Sequence, residues 1–316
     1  NPDYSRLIPG ADLPTMRGSS SMSTTMDRRT FFLTPSAGLL CSLSGLPIKN
    51  ALADASALPN ALRDIEATAR GRLGVHIIDT ETGRELGWRS DERFLMLSSF
   101  KLIASALVLA RADRGEDSLE RRIRYRQQDL VRWSPVTEKY VGGDGLSLAQ
   151  LCEATMTTSD NTAANLILAS YGGPAALTAF ARQLGDTVTR HDRTEPELNV
   201  RPASGEALDT TSPRAMANTV RKLLLGDALQ PSSRNRLMQW LLANTTGGKR
   251  LRAGVPASWS VGEKTGTAGN DANDIGIAFP PMRAPLIVTA YLAESATDSS
   301  TRDSALASVG RLLTRL

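Results

Sequence analysis

Segments with a strand-like pattern lie at the two ends of this chain, and a long helical stretch separates them. Near the N-terminus, LGVHIIDT and ELGWR are short apolar runs joined by Glu81–Arg84, a pattern that predicts a hairpin. Three strand-like runs return towards the C-terminus, namely WSVGEKTG, DIGIAF and LIVTAYLA. This order predicts one antiparallel sheet assembled from N- and C-terminal segments.

Between those strands, from about Ser98 to Asn244, the apolar residues recur at helical spacing. The helical segments are KLIASALVLARAD, SLAQLCEAT, NTAANLILASY, GPAALTAFARQL, SPRAMANTVRKLLL and SSRNRLMQWLLA. We expect an inserted all-α lobe over residues 91–244, and an α/β lobe formed by residues 54–90 and 245–316. The predicted fold class is α/β, in the α+β sense, with the amphipathic helices ALPNALRDIEATARG and RDSALASVGRLLTRL flanking the sheet. A non-periodic loop of about 190–211 is long enough to suggest a function.

Residues 1–53 have the features of an upstream extension and an export signal. Paired arginines in DRRTFFL precede a modestly apolar stretch and the sequence ALA at 51–53, which is typical of a twin-arginine signal. We expect cleavage after Ala53 and a periplasmic destination. No apolar run reaches the length of a bilayer span, so stable membrane association after cleavage is not expected.

Composition argues against several classes of function. The 316 residues carry a formal net charge of +4 and no block of like charges, so nucleic-acid binding is not expected. After cleavage one cysteine, Cys152, and two histidines, His76 and His191, would remain, which argues against a zinc site. We expect Cys152 to pack in the core and both histidines to be structural. No metal, cofactor or obligate oligomer is expected, and the predicted state is a monomer.

Four short motifs occur in order along the chain. Ser98-x-x-Lys101 opens the helical stretch, and residues three apart share a helix face, which pairs this serine with the lysine. Ser159-Asp160-Asn161 lies between two helices, Glu195-Pro196-Glu197-Leu198-Asn199 in the long loop, and Lys264-Thr265-Gly266 at the end of a strand. Each motif alone is weak, since SDN is usually a helix cap and KTG often a surface turn. All four in this order indicate a catalytic site.

The motifs resemble those of class A β-lactamases, which belong to the penicillin-recognising Ser-x-x-Lys superfamily. The resemblance includes LVRWSPVTEKY, TSDNTAANLIL, DRTEPELN and SPRAMANTVRKLLL, and covers residues 55–316. It implies a β-lactamase/transpeptidase-like fold. It also implies hydrolysis of the β-lactam amide of penicillins and cephalosporins through a serine acyl-enzyme, giving antibiotic resistance. Carbapenem hydrolysis is left open.

Cleaving a strained amide through Ser98 requires a base for the hydroxyl proton and donors for the oxyanion. Because neither histidine lies in a motif, Lys101 and Glu195 have to carry the proton, and which of them activates the serine is left open. Glu195 and Asn199 are four residues apart, so one helical turn would let both hold the water that frees the acyl-serine. The resemblance further implies a cis Glu195–Pro196 bond and an oxyanion hole formed by the backbone N–H groups of Ser98 and Thr267.

The resemblance assigns the remaining motif residues to the leaving group and the substrate. Ser159 would pass a proton to the departing ring nitrogen, and Lys264 would hold both Ser159 and the substrate carboxylate. Asn161 would contact Lys101 and the amide side chain of the substrate. On a strand, Thr265 and Thr267 share a face and would offer two hydroxyls to the carboxylate. Gly266 would let the substrate approach the backbone closely.

Arg250 and Trp133 are matched to substrate-binding positions of a subset of the family that includes broad-spectrum and carbapenem-acting members. Arg250 would bind the substrate carboxylate, and Trp133 would lie at the site entrance. Against carbapenem action, Leu97 and Ala268 occupy positions where several such enzymes carry a disulfide. Arg193 and Asp209 are expected to pair and close the long loop.

Two alternatives remain. The first is a penicillin-binding peptidase that uses the same serine–lysine chemistry on peptidoglycan. The second is a sensor domain that is acylated by β-lactams and stays acylated. Both lack an equivalent of the Glu195/Asn199 water site, so the sequence favours the hydrolase.

Overall fold

A five-stranded antiparallel sheet joins the two ends of the chain, in the strand order Glu85–Trp88, Arg72–Asp79, Leu286–Ala293, Asp271–Phe279 and Ser260–Ala268. The computed structural model describes residues 48–316, with side chains from Leu58 onward. The strands are β1 Arg72–Asp79, β2 Glu85–Trp88, β3 Phe94–Leu95, β4 Arg122–Ile123, β5 Leu146–Ser147, β6 Thr210–Thr211, β7 Ser260–Ala268, β8 Asp271–Phe279 and β9 Leu286–Ala293. The helices are α1 Ile48–Ala69, α2 Phe100–Asp113, α3 Leu148–Thr157, α4 Asn161–Ser170, α5 Pro174–Gln183, α6 Pro213–Leu225, α7 Pro231–Leu242, α8 Leu251–Gly254 and α9 Ser299–Leu312.

The strand register confirms the prediction that distant segments share one sheet. The N-terminal strand β1 pairs along its whole length with the C-terminal strand β9, from Arg72 opposite Ala293 to Asp79 opposite Leu286. The predicted hairpin at Glu81–Arg84 joins β1 to β2. Strand β7 lies at the edge of the sheet, so one row of its backbone groups is not used in the ladder.

The core of the sheet lies against the first and last helices. Leu62 of α1 and Leu306 of α9 pack with apolar side chains of the strands, among them Leu73 and Leu292, and all four are fully buried. A sheet hydrophobic on one face has to bury that face against another layer, and the two terminal helices do so here. The sheet therefore forms a fixed frame for the residues carried by β7.

All six predicted helical segments between the strands are helices, and two short β pairs lie among them. Strand β3 pairs with β6, and β4 pairs with β5, each over two residues. The sequence does not predict these pairs, because a two-residue strand has no periodicity to detect. The stretch 91–244 is thus not purely α-helical, and the division into two lobes at the predicted boundaries stays a prediction.

The long loop is closed at its base by the predicted ion pair. Arg193 Nε lies 2.6 Å from Asp209 Oδ2, and the buried Asp209 carboxylate also accepts the backbone N–H groups of Asp192 and Arg193. The Glu195–Pro196 bond is cis, as the resemblance implied. His191, just before the pair, is buried and stacks on Phe100 at a ring distance of 4.4 Å.

Residues 1–47 of the predicted extension and export signal (1–53) lie outside the described residues, and the predicted cleavage point after Ala53 lies within α1. Of the helices between residues 48 and 316, none combines the length and the apolar character that crossing a membrane requires.

We expect Leu292→Ala to lower the free energy of unfolding by about 2–5 kcal/mol, since it removes a fully buried side chain from the sheet core. Urea denaturation followed by circular dichroism would measure the change. Met282→Ala is the control, because Met282 is 95% exposed, and we expect a change within about 0.5 kcal/mol. Equal effects of the two substitutions would contradict the assignment of the core.

Candidate active site

Ser98 lies in a 3₁₀ turn, Leu97–Ser99, that leads directly into α2. Leu97 has a φ of 49°, a left-handed conformation that is uncommon for a branched residue and is frequent at functional sites. Lys101 follows on the next turn, and its Nζ donates to Ser98 Oγ at 3.0 Å. Ser98 Oγ in turn donates to Glu195 Oε1 at 3.4 Å. The turn therefore directs the serine hydroxyl at both a lysine and a carboxylate.

Lys101 is fully buried and is surrounded by oxygen atoms from three segments. Its Nζ donates to Asn161 Oδ1 at 2.5 Å and to the carbonyl of Ser159 at 2.9 Å. Glu195 Oε1 lies 3.1 Å from the same nitrogen. Burial lowers the pKa of Lys101, and the neighbouring charge of Glu195 opposes that shift. The neutral amine is thus more accessible here than for a lysine in water.

Glu195 is held on both its backbone and its side chain. Asn165 of α4 accepts the backbone N–H of Glu195 at 2.9 Å and donates to its carbonyl at 2.8 Å. Asn199 Nδ2 donates to Glu195 Oε2 at 2.6 Å, which leaves Oε1 towards Ser98. The motif pair Glu195/Asn199 is therefore in direct contact.

Ser159 lies between the two buried lysines. Its Oγ accepts from Lys264 Nζ at 3.1 Å and from Lys101 Nζ at 3.3 Å. Burial and the nearby positive charge of Lys101 hold the pKa of Lys264 well below its usual value. Next to the serine, the buried Asp160 caps α4 and also accepts the backbone N–H of Thr137, which ties this turn to the preceding loop.

Strand β7 brings the KTG motif alongside the serine turn. A Cβ at Gly266 would lie 2.8 Å from Leu97 Cβ and 3.2 Å from Ser98 N, so only glycine fits without displacing the turn. From the resemblance, this glycine is expected to allow close approach of the substrate. The structure shows a close contact of this position with the serine turn itself.

The two threonines of β7 contact the same segment, as expected for alternate strand residues. Thr265 Oγ1 lies 2.5 Å from Thr246 Oγ1, and Arg250 donates to Thr267 Oγ1 at 2.7 Å. Arg250 is buried and also donates to the carbonyls of Gly266 and Asn273, at 2.9 and 2.8 Å. Its guanidinium is therefore fixed behind the end of β7.

Asn161 lies beside Lys101, and Trp133 lies beside the turn that carries Ser159. Asn161 Nδ2 donates to the carbonyl of Arg132 at 2.9 Å, which orients its Oδ1 towards Lys101. Trp133 is 61% exposed and donates its indole N–H to the carbonyl of Thr158 at 3.0 Å. Its ring thus lies at the surface next to Ser159.

Sequence reasoning missed two residues of this site, Asn165 and Thr246. Asn165 stands four residues after Asn161 on one helix, so the shared face was a signal that could have identified it. Thr246 contacts β7 only through tertiary structure, and no sequence pattern indicates it.

The histidines and the cysteine have structural surroundings. His76 contacts Ser90 and Glu85, and burial lowers the pKa of His191 to about 4. Cys152 is buried, and burial raises the pKa of its thiol to about 12. Over residues 48–316, no group of His, Cys, Asp and Glu side chains has the arrangement of a metal site.

Comparison with known proteins agrees with this geometry. A model of the β-lactamase enzyme family matches residues 57–316. β-Lactamase L2 of Stenotrophomonas maltophilia is 47% identical over 254 residues, which are 80% of this chain and 83% of that protein. OXY-2 of Klebsiella oxytoca is 43% identical over 263 residues, 83% of this chain and 90% of that protein.

Solved structures give the same result. An ancestral class A β-lactamase is 58% identical, with a TM-score of 0.80 over 82% of this chain and 99% of that one. The putative class A enzyme PenP of Rhodopseudomonas palustris is 55% identical, with a TM-score of 0.80 over 82% and 99% of the two chains. This chain belongs to the class A β-lactamase family. It is an enzyme that hydrolyses β-lactams, which are small-molecule substrates.

Two buried carboxyl groups lie behind the KTG motif, those of Glu263 and Asp274. Arg252 Nε lies 3.0 Å from Glu263 Oε1, and the backbone N–H of Leu251 donates to Asp274 Oδ2 at 3.1 Å. Burial raises the pKa of both carboxyl groups, and their mutual repulsion raises that of Asp274 further. Charge next to Lys264 therefore depends on the protonation of this pair.

We expect the free energy of unfolding of the Glu263→Gln variant to increase, relative to that of the parent, as pH rises. A raised pKa means that the folded state keeps a proton that the unfolded chain releases above its usual pKa of 4.5. The parent then loses stability with rising pH at this group, and the neutral glutamine does not. Urea denaturation of both proteins between pH 5 and 8 would measure the difference. A difference that is constant, or that moves the other way, would contradict the raised pKa.

Proposed function

We propose that Ser98 is the nucleophile and that the four motifs form one acyl-transfer site for penicillins and cephalosporins. The observation that carries this proposal is the contact of Ser98 Oγ with two groups, Lys101 Nζ at 3.0 Å and Glu195 Oε1 at 3.4 Å. The distance to Lys101 is within reach for direct proton transfer from the serine hydroxyl, and the distance to Glu195 is slightly longer, as is common for such contacts before substrate binds. The lowered pKa of Lys101 supports this lysine as a base, and the hydrogen bond that Ser98 Oγ donates to Glu195 Oε1 supports the carboxylate.

The oxyanion of the tetrahedral intermediate would be bound by the backbone N–H groups of Ser98 and Thr267. The steric contact at Gly266 supports this assignment, because it keeps the end of β7 against the serine turn. Ser159 would then deliver a proton to the departing ring nitrogen. Its hydroxyl lies between Lys101 and Lys264, either of which can replace that proton.

Deacylation needs a water activated next to the ester carbonyl. Glu195 and Asn199 would hold this water, with the carboxylate as the base that takes its proton. The 2.6 Å contact of Asn199 with one oxygen of Glu195 supports this role, since it fixes the other oxygen towards Ser98. The same pair argues against the peptidase and the sensor.

The substrate carboxylate would bind near Lys264, Thr265, Thr267 and Arg250. Asn161 would contact the amide side chain of the substrate, and Trp133 would border the entrance. Hydrolysis at this site would confer antibiotic resistance. Class A β-lactamases are typically exported, and the paired arginines and the ALA sequence before residue 54 support export of this chain to the periplasm through the twin-arginine route.

We expect Glu195→Ala to accumulate an acyl-enzyme on Ser98, because deacylation loses its base while Lys101 remains for acylation. Mass spectrometry of the intact protein after mixing with benzylpenicillin would detect the added mass, and Ser98→Ala is the control that should gain none. Steady-state kcat should fall by about 10²-fold or more. Turnover at the parent rate would contradict the role of Glu195, and a failure to acylate would assign the acylation base to Glu195 as well.

We expect Arg250→Ala to raise KM more than it lowers kcat, because a positive charge next to Thr267 is lost at the carboxylate subsite. A loss of about tenfold in kcat/KM corresponds to one charge-assisted hydrogen bond. Arg250→Lys should recover part of it. Steady-state kinetics with a cephalosporin would measure both constants, with thermal denaturation as a check on folding. Unchanged kinetics in a folded variant would assign Arg250 to packing alone.

A further inference from the structure

The long loop is attached to the end of the β7–β8 hairpin by one arginine. Arg201, two residues after Asn199, forms an ion pair with Asp271 Oδ2, and its Nε lies 3.7 Å from Glu294 Oε1. The side chain of Asp271 is only 10% exposed and that of Arg201 is 38% exposed. In the described part of the chain, these contacts join the outer half of the loop, residues 200–208, to the five-stranded sheet.

The acceptor of this ion pair is held rigidly. Asp271 is the first residue of β8 and pairs with Ala268 across a two-residue turn. Its Oδ1 accepts the backbone N–H of Glu294 at 2.7 Å, which leaves Oδ2 for Arg201. Ser295 N donates to the carbonyl of Asn270 in the turn at 3.1 Å. The hairpin end therefore cannot follow the loop, and the ion pair fixes the loop to the hairpin.

The ion pair closes a ring of contacts beside the nucleophile. From Ser98 the ring passes through Glu195 and Asn199 to Arg201, and from Asp271 it returns along β7 to Gly266, next to Ser98 N. A substrate bound at Ser98 as proposed would lie inside this ring, in an opening between the loop and the free edge of β7. An amide paired with that edge would place its substituent in the opening.

We propose that Arg201 is a specificity-determining and positioning residue, whose ion pair with Asp271 sets the width of the opening that receives the acyl side chain of the β-lactam. The inference rests on the proposed roles of Ser98 and Glu195. With the pair intact, compact acyl side chains fit and Glu195 keeps its position. Without the pair, the loop moves outward, larger acyl side chains enter, and Glu195 is less well placed for deacylation.

The test compares two substrates in the same protein, benzylpenicillin and a cephalosporin with a branched oxime side chain. In Arg201→Ala and in Asp271→Asn, we expect the ratio of kcat/KM for the cephalosporin to that for benzylpenicillin to rise about threefold, which is within the range for a partly exposed ion pair. The value of kcat/KM should rise for the cephalosporin because KM falls, and it should fall for benzylpenicillin because kcat falls. Asp271→Asn is the sharper variant, because its amide oxygen can still accept the N–H of Glu294.

Two further variants separate positioning from general stability. Arg201→Lys keeps the charge and should restore most of the parent ratio. Arg283→Ala is the matched control, because this arginine pairs with Asp79 and Glu81 at the opposite end of the β8–β9 strands and should leave the ratio unchanged. Hydrogen exchange measured by mass spectrometry should be faster in peptides covering residues 196–208 of Arg201→Ala and Asp271→Asn, and unchanged in Arg283→Ala.

Parent-like ratios in folded Arg201→Ala and Asp271→Asn would overturn the proposal, as would an equal shift in Arg283→Ala. These outcomes are independent of the proposed function, which is tested by acyl-enzyme accumulation in Glu195→Ala. If Glu195→Ala turns over normally, the catalytic roles are wrong whatever the substrate ratios show.

Discussion

The burial of the Lys101 ammonium group is the constraint on which the rest of the site depends. Moving a charged amine out of water is costly unless oxygen atoms replace its hydration. The fully buried Lys101 finds these atoms on Ser98, on the SDN turn and on the long loop. Three segments that are distant in the chain are therefore held at one nitrogen atom, and the loss of any one would leave the others facing an unsolvated charge.

The supporting contacts act on these segments rather than on the lysine. Asp160 joins the SDN turn to the preceding loop, Asn165 holds the backbone of Glu195, and the Arg193–Asp209 pair closes the long loop. The remaining side of the site is formed by β7. Its position is set by the sheet core and by the absence of a side chain at Gly266, which lets the strand contact the serine turn. Rigid elements thus orient each reactive group, which is the arrangement that electrostatic stabilisation of a transition state requires.

The sequence predicted the sheet, the helices and the motif residues because each has a local signal. The apolar runs of β1 and β9, the helical spacing of α2 and the short motifs are visible without tertiary information. The β3–β6 and β4–β5 pairs, the contact of Thr246 with Thr265 and the Arg201–Asp271 ion pair depend on segments tens of residues apart. No periodicity encodes them, so they appear only once the chain is folded. The role given to Gly266 was incomplete for the same reason, because its neighbour Leu97 lies on another segment.

The inert thiol of Cys152 has a practical consequence for spectroscopy. Cys152 is the one free cysteine among the described residues, and it is fully buried. Because burial raises the pKa of its thiol, little of the reactive thiolate is present at neutral pH. In protein from which the predicted signal, with Cys41, has been removed, a maleimide dye would therefore react with a cysteine engineered at Val200, 61% exposed on the long loop, in preference to Cys152. A fluorophore at that position would report the motion of the loop during turnover without prior removal of Cys152.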